Sequence, residues 1–520
     1  MRVQKRSGPK TRILTPIAVV VALSCLPPTS WAYSLNASNH TITVSPTGDY
    51  NQDARNALAY LVDRPDSETL WTLQFRPGKY MLSLPLYSVG LKNVNILSDP
   101  ANPAKLIKGP DFNQAEYIFY TRMSSNVKLQ GFEFYGKTSF QDNLNPVWPD
   151  QGVYFGSCRN VVVDQNKFFN FGNAALRITT SEVDPTPGVN SFNSVVTHNF
   201  FNNIYQVSTT SNDKIHGGTH GYRMEKNTFV NLRGSVKFAS RTPGAGDVHL
   251  LNNVFNGGDH FGLEIDNYND MEIRGNQFAN IKSVAINIYT AGDQGKIAQG
   301  FPWGNNFTIA DNTIQNSGRG IRFCPSPFFD GTVVTPTHLV IDNNNLSAIE
   351  DSNRNVAAIA IMKGKVKDVQ ITRNHMRDIQ SKNYISLTPG STQITDSGNT
   401  AEGASLASIG NDQAQSGPQI AKSPQKPEAP SQVSGQFDAS NQSVRLQWVN
   451  HAGSDSREEV WGSLNGQKYS LIAKLNPQST HFVHQFKRIP AVPAIYYVVK
   501  ALNEQGDSPY STPCKIILSP

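Results

Sequence analysis

Short runs in which apolar and polar side chains alternate recur along most of this chain, and eight of them close on the same phrase. "VVVDQNKFFN" (161–170) returns as "VVTHNFFNN", "YRMEKNTFVN", "VHLLNNVFNG", "MEIRGNQFAN", "FTIADNTIQN", "LVIDNNNLSA" and "VQITRNHMRD". The shared asparagine falls at Asn166, Asn199, Asn227, Asn253, Asn276, Asn312, Asn344 and Asn374, with gaps of 33, 28, 26, 23, 36, 32 and 30 residues. Two residues beyond each stands a large apolar side chain: Phe168, Phe201, Phe229, Phe255, Phe278, Ile314, Leu346 and Met376. Alternation with a period of two predicts a strand with one face inward. A second alternating run follows in most repeats: "ALRIT", "SVKFA", "GLEID", "AINIY", "GIRFC". Helical periodicity is absent here, and Gly and Asn punctuate the runs, so the repeat is one of strands and turns.

A repeat of this size cannot bury its own apolar face, whereas stacked copies share a continuous core, which predicts an all-β parallel solenoid. The asparagine then sits at a tight corner, where it tolerates left-handed backbone angles and bonds through its amide to the Asn of the next coil. The Phe beside it fills the interior, and the unequal gaps are loops grown from fixed corners. "NQDARNALAYLVDR" (Asn51–Arg64) places Ala54, Leu58, Leu61 and Val62 on one helical face, suited to covering the open end of such a stack. "WTLQFRPGKYML" and "LKNVNIL" supply strands of the first coils.

These features together resemble the right-handed parallel β-helix of the pectin lyase-like superfamily, over residues 33–399. The resemblance implies the fold; its activities range over lyases, hydrolases, epimerases, tailspikes and adhesins. Composition shifts after Asn399. The stretch 400–433, small, polar and Pro-bearing, reads as a flexible linker. Beyond it "VRLQWVN", "EEVWGSLNGQKYSLIAKL" and "AIYYVVKALNEQGDSPYS" alternate like short antiparallel strands. Trp448, Tyr469, Tyr497, Val499, Ala501, Asn503 and Gly506 stand as in fibronectin type III domains, so 434–520 is similar to that β-sandwich, which serves as a spacer or docks a protein or glycan.

The N-terminus changes the electrostatic picture. Arg2, Lys5, Arg6, Lys10 and Arg12 precede the short apolar core "ILTPIAVVVALSCL", and "SWA" ends at a small-x-small site. This reads as a secretory signal peptide (1–32) cleaved after Ala32, and implies a secreted or periplasmic protein with no integral membrane segment. Without those five basic residues the 46 Lys and Arg fall to 41 against 40 Asp and Glu, a net charge of +1. No global charge therefore favours nucleic acid or an anionic membrane, and any polyanion site is local. Cys158, Cys324 and Cys514 are too sparse for a disulfide framework or a zinc spacing; a Cys158–Cys324 bridge and idle buried thiols both remain open.

Outward side chains of successive coils form columns with rungs about 4.8 Å apart. Counted from the key asparagine, the second runs align Arg177, Lys237, Glu264, Asn287 and Arg322, with Thr209 or Thr210 in the coil between the first two. Asp266 and Tyr289 point the same way two residues on. One reading is a solvated charged face. The other is a groove for an extended acidic polysaccharide, whose sugar repeat of about 5 Å matches the rungs and whose carboxylates suit Arg177 and Arg322.

Elimination on a uronate needs a cation to neutralise the carboxylate, a base and an acid. Lys237 is the candidate base, its pKa depressed by Arg177 and Arg241; Arg177, Arg241 and Arg322 are neutralisers, and Tyr289 the acid. Glu264 and Asp266 are alternatively hard oxygen ligands for a Ca²⁺ ion, or polar surface. The order of elements from Gly221 to Ser347, beginning "HGYRMEKNTFVNLRGSVKFASR", resembles the alginate lyase and chondroitinase B group. That likeness implies a polysaccharide lyase, or a C5-epimerase sharing its first step. This chain departs from the group at "STTSNDKIHGG", which offers Lys214 without paired glutamates, and at "FASRT", where Arg241 is shifted by two. Hydrolysis by Glu264 with Asp266 and a non-catalytic binder or adhesin are the rivals. His220, which with His216 flanks a Gly-rich loop, and Trp303 and Trp148 in loop insertions are further candidates for sugar contact.

Overall fold

In the computed structural model of the chain, residues 33–518 are described, apart from 139–149, 181–190, 212–218, 241–244, 290–303, 325–334, 351–356, 363, 380–383, 403–409, 412–426, 452–455, 478, 487–488, 491 and 504–505. Lys214, Arg241, Trp303, Trp148, His216 and the leader 1–32 lie outside the described residues. The chain divides into two compact units, Met1–Gln413 and Ala414–Pro520.

The first unit is a right-handed parallel β-helix, the hand that parallel crossovers adopt. Among the described residues its strands form one fourteen-stranded and one twenty-one-stranded sheet. Apart from the antiparallel pair Tyr33–Asn36 and Thr41–Val44 at the start, strands bond in parallel to the equivalent segment of the next coil; Arg159–Asp164, for example, lies between Ser125–Gln130 and Phe192–Thr197. A coil gives one strand to the first sheet and two to the second. In Lys167–Thr180, Phe200–Ser211 and Thr228–Ser240 those two run together as one strand, with register shifts where Phe171 gives way to Ala174 and Ile204 to Gln206.

The recurring asparagine does the work expected of it through its side chain. The Nδ2 of Asn227 donates to Asn253 Oδ1 at 3.0 Å and to the Val196 carbonyl at 2.9 Å, while its own Oδ1 accepts from Asn199 N and Nδ2 at 2.9 and 3.0 Å. The same exchange runs from Asn166 to Asn399. The left-handed backbone falls one residue earlier than expected, at Gln165, His198, Lys226, Asn252, Gly275, Asp311, Asn343 and Arg373. Bending the chain there turns the asparagine itself inward, where it is fully buried and its amide reaches coils on both sides. Only Gly275 among these corners is a glycine, and an added Cβ would lie 2.3 Å from Asn252 Oδ1.

Beside the ladder Phe134, Phe168, Phe201, Phe229, Phe255 and Phe278 stack with successive ring centroids 4.5–5.0 Å apart, and Ile314, Leu346 and Met376 continue the column. The predicted helix is Tyr50–Asp63, capped by Asp49, whose Oδ1 accepts from Gln52 N at 3.2 Å. Ala54, Ala57, Leu58 and Leu61 are buried, whereas Val62 is half-buried. Asn51 fixes the helix to the first coil: its Oδ1 accepts from the backbone of Ser83 and Leu84, each at 2.9 Å. At the other end the coils continue past Asn399, since Thr400–Glu402 pairs with His375–Ile379 and Gly410–Asn411 with Ile385–Leu387. Thr400–Glu402 adds to the core only the half-buried Ala401, which is why composition reads the stretch as linker.

The second unit holds two antiparallel sheets. Ser431–Asp438, Ser443–Val449 and His481–Gln485 form one; Arg457–Ser463, Ser470–Pro477, Ala494–Asn503, Gly506–Asp507 and Cys514–Ile517 form the other. Val444, Leu446, Trp448, Val460, Tyr497 and Val499 make its core. Cys158 and Cys324 are buried and Cys514 is half-buried, each as a thiol.

Candidate functional site

Register along the second sheet places Arg177, Ser208, Lys237, Glu264, Asn287 and Arg322 on successive rungs. The flanking residues alternate inward and are buried: Leu176 and Ile178, Val236 and Phe238, Leu263 and Ile265, Ile286 and Ile288, Ile321 and Phe323. This is the column read from the sequence, with one correction. Ser208 occupies the rung assigned to Thr209 or Thr210, and Thr209 is buried. Asp266 and Tyr289 pair with each other on the neighbouring column.

The centre of the column is a closed network. Glu264 Oε1 accepts from Lys237 Nζ at 2.8 Å and from the Tyr289 hydroxyl at 2.7 Å, while Oε2 accepts from Ser235 Oγ at 2.6 Å. Burial alone would raise the Glu264 carboxyl, but the Lys237 charge and the three donors outweigh it and hold the pKa below the usual range. For Lys237, burial works to lower the pKa, and the Glu264 charge and hydrogen bond, with Asp266 and Tyr205, turn the balance upward. The expected depression by Arg177 and Arg241 is therefore reversed. Lys237 faces a carboxylate across one rung, stays an ammonium, and is not a free base. Burial and then the charges of Glu264 and Asp266 raise the Tyr289 phenol, keeping it protonated.

The calcium expectation meets the same geometry. Both Glu264 oxygens face donors, which is the wrong lining for a cation, and among the described residues no three His, Cys, Asp or Glu side chains converge. Glu264 and Asp266 as they stand do not fit a Ca²⁺ site.

The two arginines at the ends of the column are held differently. Arg177 Nε donates to Ser208 Oγ at 3.0 Å, and the guanidinium also bonds the Tyr117 phenol. Arg322 Nε donates to Asn287 Oδ1 at 2.7 Å, and its guanidinium lies 5.7 Å from the Phe261 ring centre. Next to Phe261 stands His260, which sequence reading did not single out. Its surface is exposed, yet Phe261 crowds the ring at 3.8 Å between centroids, and partial burial lowers its pKa, with Glu264 acting against the shift and Lys237 and Arg322 reinforcing it. The imidazole is thus neutral at pH 7 and close enough to the column to feel its charges. No repeat position marks His260, because it lies in the turn between the two strands of its coil.

His220 is elsewhere. It starts the strand His220–Glu225 of the first sheet, between Phe192 and Gly246, and takes no part in the column.

The column continues past Arg177 in a way the sequence reading missed. The next rungs are Tyr154, Tyr120 and Tyr87. Tyr120 stacks on Tyr154 at 4.5 Å and 4°, and on Tyr87 at 5.3 Å and 11°. Tyr117 leans on Tyr120 and Tyr154 at 5.8 and 5.0 Å. Gly156 leaves room for the Tyr154 ring, which a Cβ there would meet at 2.5 Å. The signal was present in "LYSV", "FYTR" and "VYFG", where each tyrosine holds the outward place of its run, but these coils lack the asparagine phrase that marks the register.

No family model matches this chain, and no curated protein matches it. Among solved structures it is similar to the catalytic unit of a thermostable GH87 α-1,3-glucanase from Streptomyces thermodiastaticus strain HF3-3, at 15% identity over 71% of this chain and 70% of that one, with a TM-score of 0.43. It is also similar to the Dettilon tailspike protein, at 13% identity over 88% of this chain and 80% of that one, with a TM-score of 0.39. An Fn3-like protein from Clostridium thermocellum matches at 25% identity over 18% of this chain and 93% of that one, with a TM-score of 0.16.

Proposed function

We propose that this chain binds an extended, carboxylate-bearing polysaccharide along the column from Arg177 to Arg322. The observation that carries the reading is Arg177: a cation on an outward rung whose described partners, Ser208 and Tyr117, are neutral oxygens. A guanidinium so oriented keeps its charge for an incoming carboxylate, and rungs about 4.8 Å apart match one sugar each. Arg322 with Asn287 offers the second anchor, while the Lys237–Glu264 pair between them presents a locally neutral floor.

Within this reading a β-elimination centre is favoured at the Arg322 end, because a neutral imidazole stands there. His260 would take the proton beside the carboxylate, whose charge Arg322 and Asn287 offset. The electron pair would form the C4–C5 double bond as the C4–O bond breaks, and the leaving oxygen would take a proton from solvent, since the Tyr289 hydroxyl is bonded to Glu264 and its pKa is raised. Reprotonation of C5 from the opposite face, in place of C4–O cleavage, would make the same site a C5-epimerase. Residues 1–32 would direct secretion or periplasmic export, and 434–520 would serve as a fibronectin type III-like docking or spacer module, its polar sheet face of Gln436, Arg445, Gln447 and His481 available to a protein or glycan.

Incubation of the protein with alginate, polygalacturonate and chondroitin sulfate should retard it in gels containing one of them and raise the ultraviolet absorbance of the unsaturated uronate. His260→Ala should lose the absorbance and keep the retardation. Retardation with a flat trace would remove the lyase reading and leave epimerase or plain binding; no retardation would remove the acidic-polymer reading.

A further inference from the structure

The tyrosines beyond Arg177 take the outward positions of their strands, and Tyr154, nearest Arg177, is buried there. Their inward neighbours Leu86, Ser88, Phe119, Thr121, Val153 and Phe155 are buried, whereas Tyr87 is 52% exposed. Exposure falls along the stack toward the charged column, to 9% at Tyr154. A stack serving only to pack coils would gain most by covering its last ring. Here Tyr87 is left open, and its strand Leu86–Val89 pairs with Phe119–Arg122 alone among the described residues. One face of the Tyr87 ring therefore has no neighbour on its own column. Ring spacings of 4.5 and 5.3 Å continue the rung spacing of the column, so a chain lying in register with Arg177 reaches these phenols at about one per sugar. Tyr117 ties the two parts together, since it touches both Tyr120 and Tyr154 and bonds Arg177.

We infer that the open face of Tyr87, with the outward ring edges and hydroxyls of Tyr120 and Tyr117, forms a charge-free subsite for the hydroxyl- and CH-bearing faces of pyranose rings, extending the polysaccharide track beyond Arg177. Tyrosine suits this, with an apolar body for the ring face of a sugar and a hydroxyl for its oxygens. The inference rests on the polysaccharide reading, but it assigns a different chemistry to this end: contact without ion pairing, insensitive to salt where the Arg177–Arg322 part is screened.

The test compares alginate, polygalacturonate and chondroitin sulfate oligomers of about six and about twelve sugars, the shorter covering the charged rungs and the longer reaching the tyrosines. The wild-type protein should bind the longer oligomer of one series more tightly. Tyr87→Phe with Tyr120→Phe, which keeps the stack and removes the hydroxyls, should cut that gain about fivefold, equally at low and raised salt. Tyr87→Ala, which removes an exposed ring, should cut it further. Binding of the shorter oligomer with no length gain, or a full gain retained in both variants, would overturn the subsite alone. Failure of the wild-type protein to bind any oligomer would overturn the polysaccharide reading and the subsite with it.

Discussion

Asn227→Ala should destabilise the β-helix by about 4 kcal/mol, because one side chain satisfies polar groups of three coils. Its loss removes the acceptor of Asn199 N and Nδ2 and the donor to the carbonyls of Val196 and Glu225. The bonds to Asn199 and Val196 are buried and that to Glu225 partly so, and each buried group left unsatisfied costs about 1–3 kcal/mol. Asn280 is the surface comparison. Its Nδ2 donates to Asn256 Oδ1 at 2.9 Å and its Oδ1 accepts from Asn316 Nδ2 in an exposed ladder on neighbouring coils, and its backbone is left-handed, so Asn280→Ala should cost about 1 kcal/mol, much of it backbone strain. Denaturant unfolding of the two variants checks this; equal shifts would mean that the buried ladder holds the coils no more firmly than the surface one.

Lys237→Ala is expected to cost about 3 kcal/mol at pH 7, since it strands a buried carboxylate. Ser235 and Tyr289 would still donate to Glu264, but among the described residues the full positive charge bonded to it is that of Lys237. Lys237→Met with Glu264→Gln should recover most of the loss, because the pair is removed together. The pH dependence follows from the directions of the shifts. The Glu264 pKa is lowered on folding, so its contribution is fully present above the unfolded-state value of about 4.5 and is lost as pH falls through the folded value. In Lys237→Ala, burial is left as the main influence on Glu264 and pushes its pKa up instead. The penalty of the variant should therefore shrink as pH is lowered from 7 toward 4, as the stranded carboxylate takes up a proton. Unfolding midpoints of both proteins across that range decide it, and a penalty independent of pH would show that the lysine acts through packing alone.

How much of this was legible in the sequence depends on what fixes register. The asparagine phrase does so at every coil from Asn166 to Asn374, and from it the ladder, the phenylalanine stack and the order Arg177, Lys237, Glu264, Asn287, Arg322 all follow. What did not follow was partnership. Lys237 was weighed against Arg177 and Arg241, whereas its neighbours up and down the column are Glu264 and Ser208, and a neighbouring carboxylate reverses the sign of the expected shift. The left-handed corner fell one residue early for a related reason: the sequence shows that Asn is needed, while only the packed coil shows that it is needed inside. His260 and the tyrosines escaped because they lie where the phrase is silent, in a turn and in the coils that precede its first occurrence.

The central claim is that Arg177 and Arg322 anchor one chain across the rungs between them. The most direct measurement is the equilibrium affinity of the wild-type protein and of Arg177→Ala with Arg322→Ala for alginate, polygalacturonate and chondroitin sulfate, each at low and raised salt. The wild-type protein should bind one of these polymers with an affinity that falls as salt rises, and the double variant should bind it about tenfold or more weakly with a shallower dependence on salt. Equal affinity of the two proteins for a polymer that binds would contradict the claim and place that polymer elsewhere on the molecule.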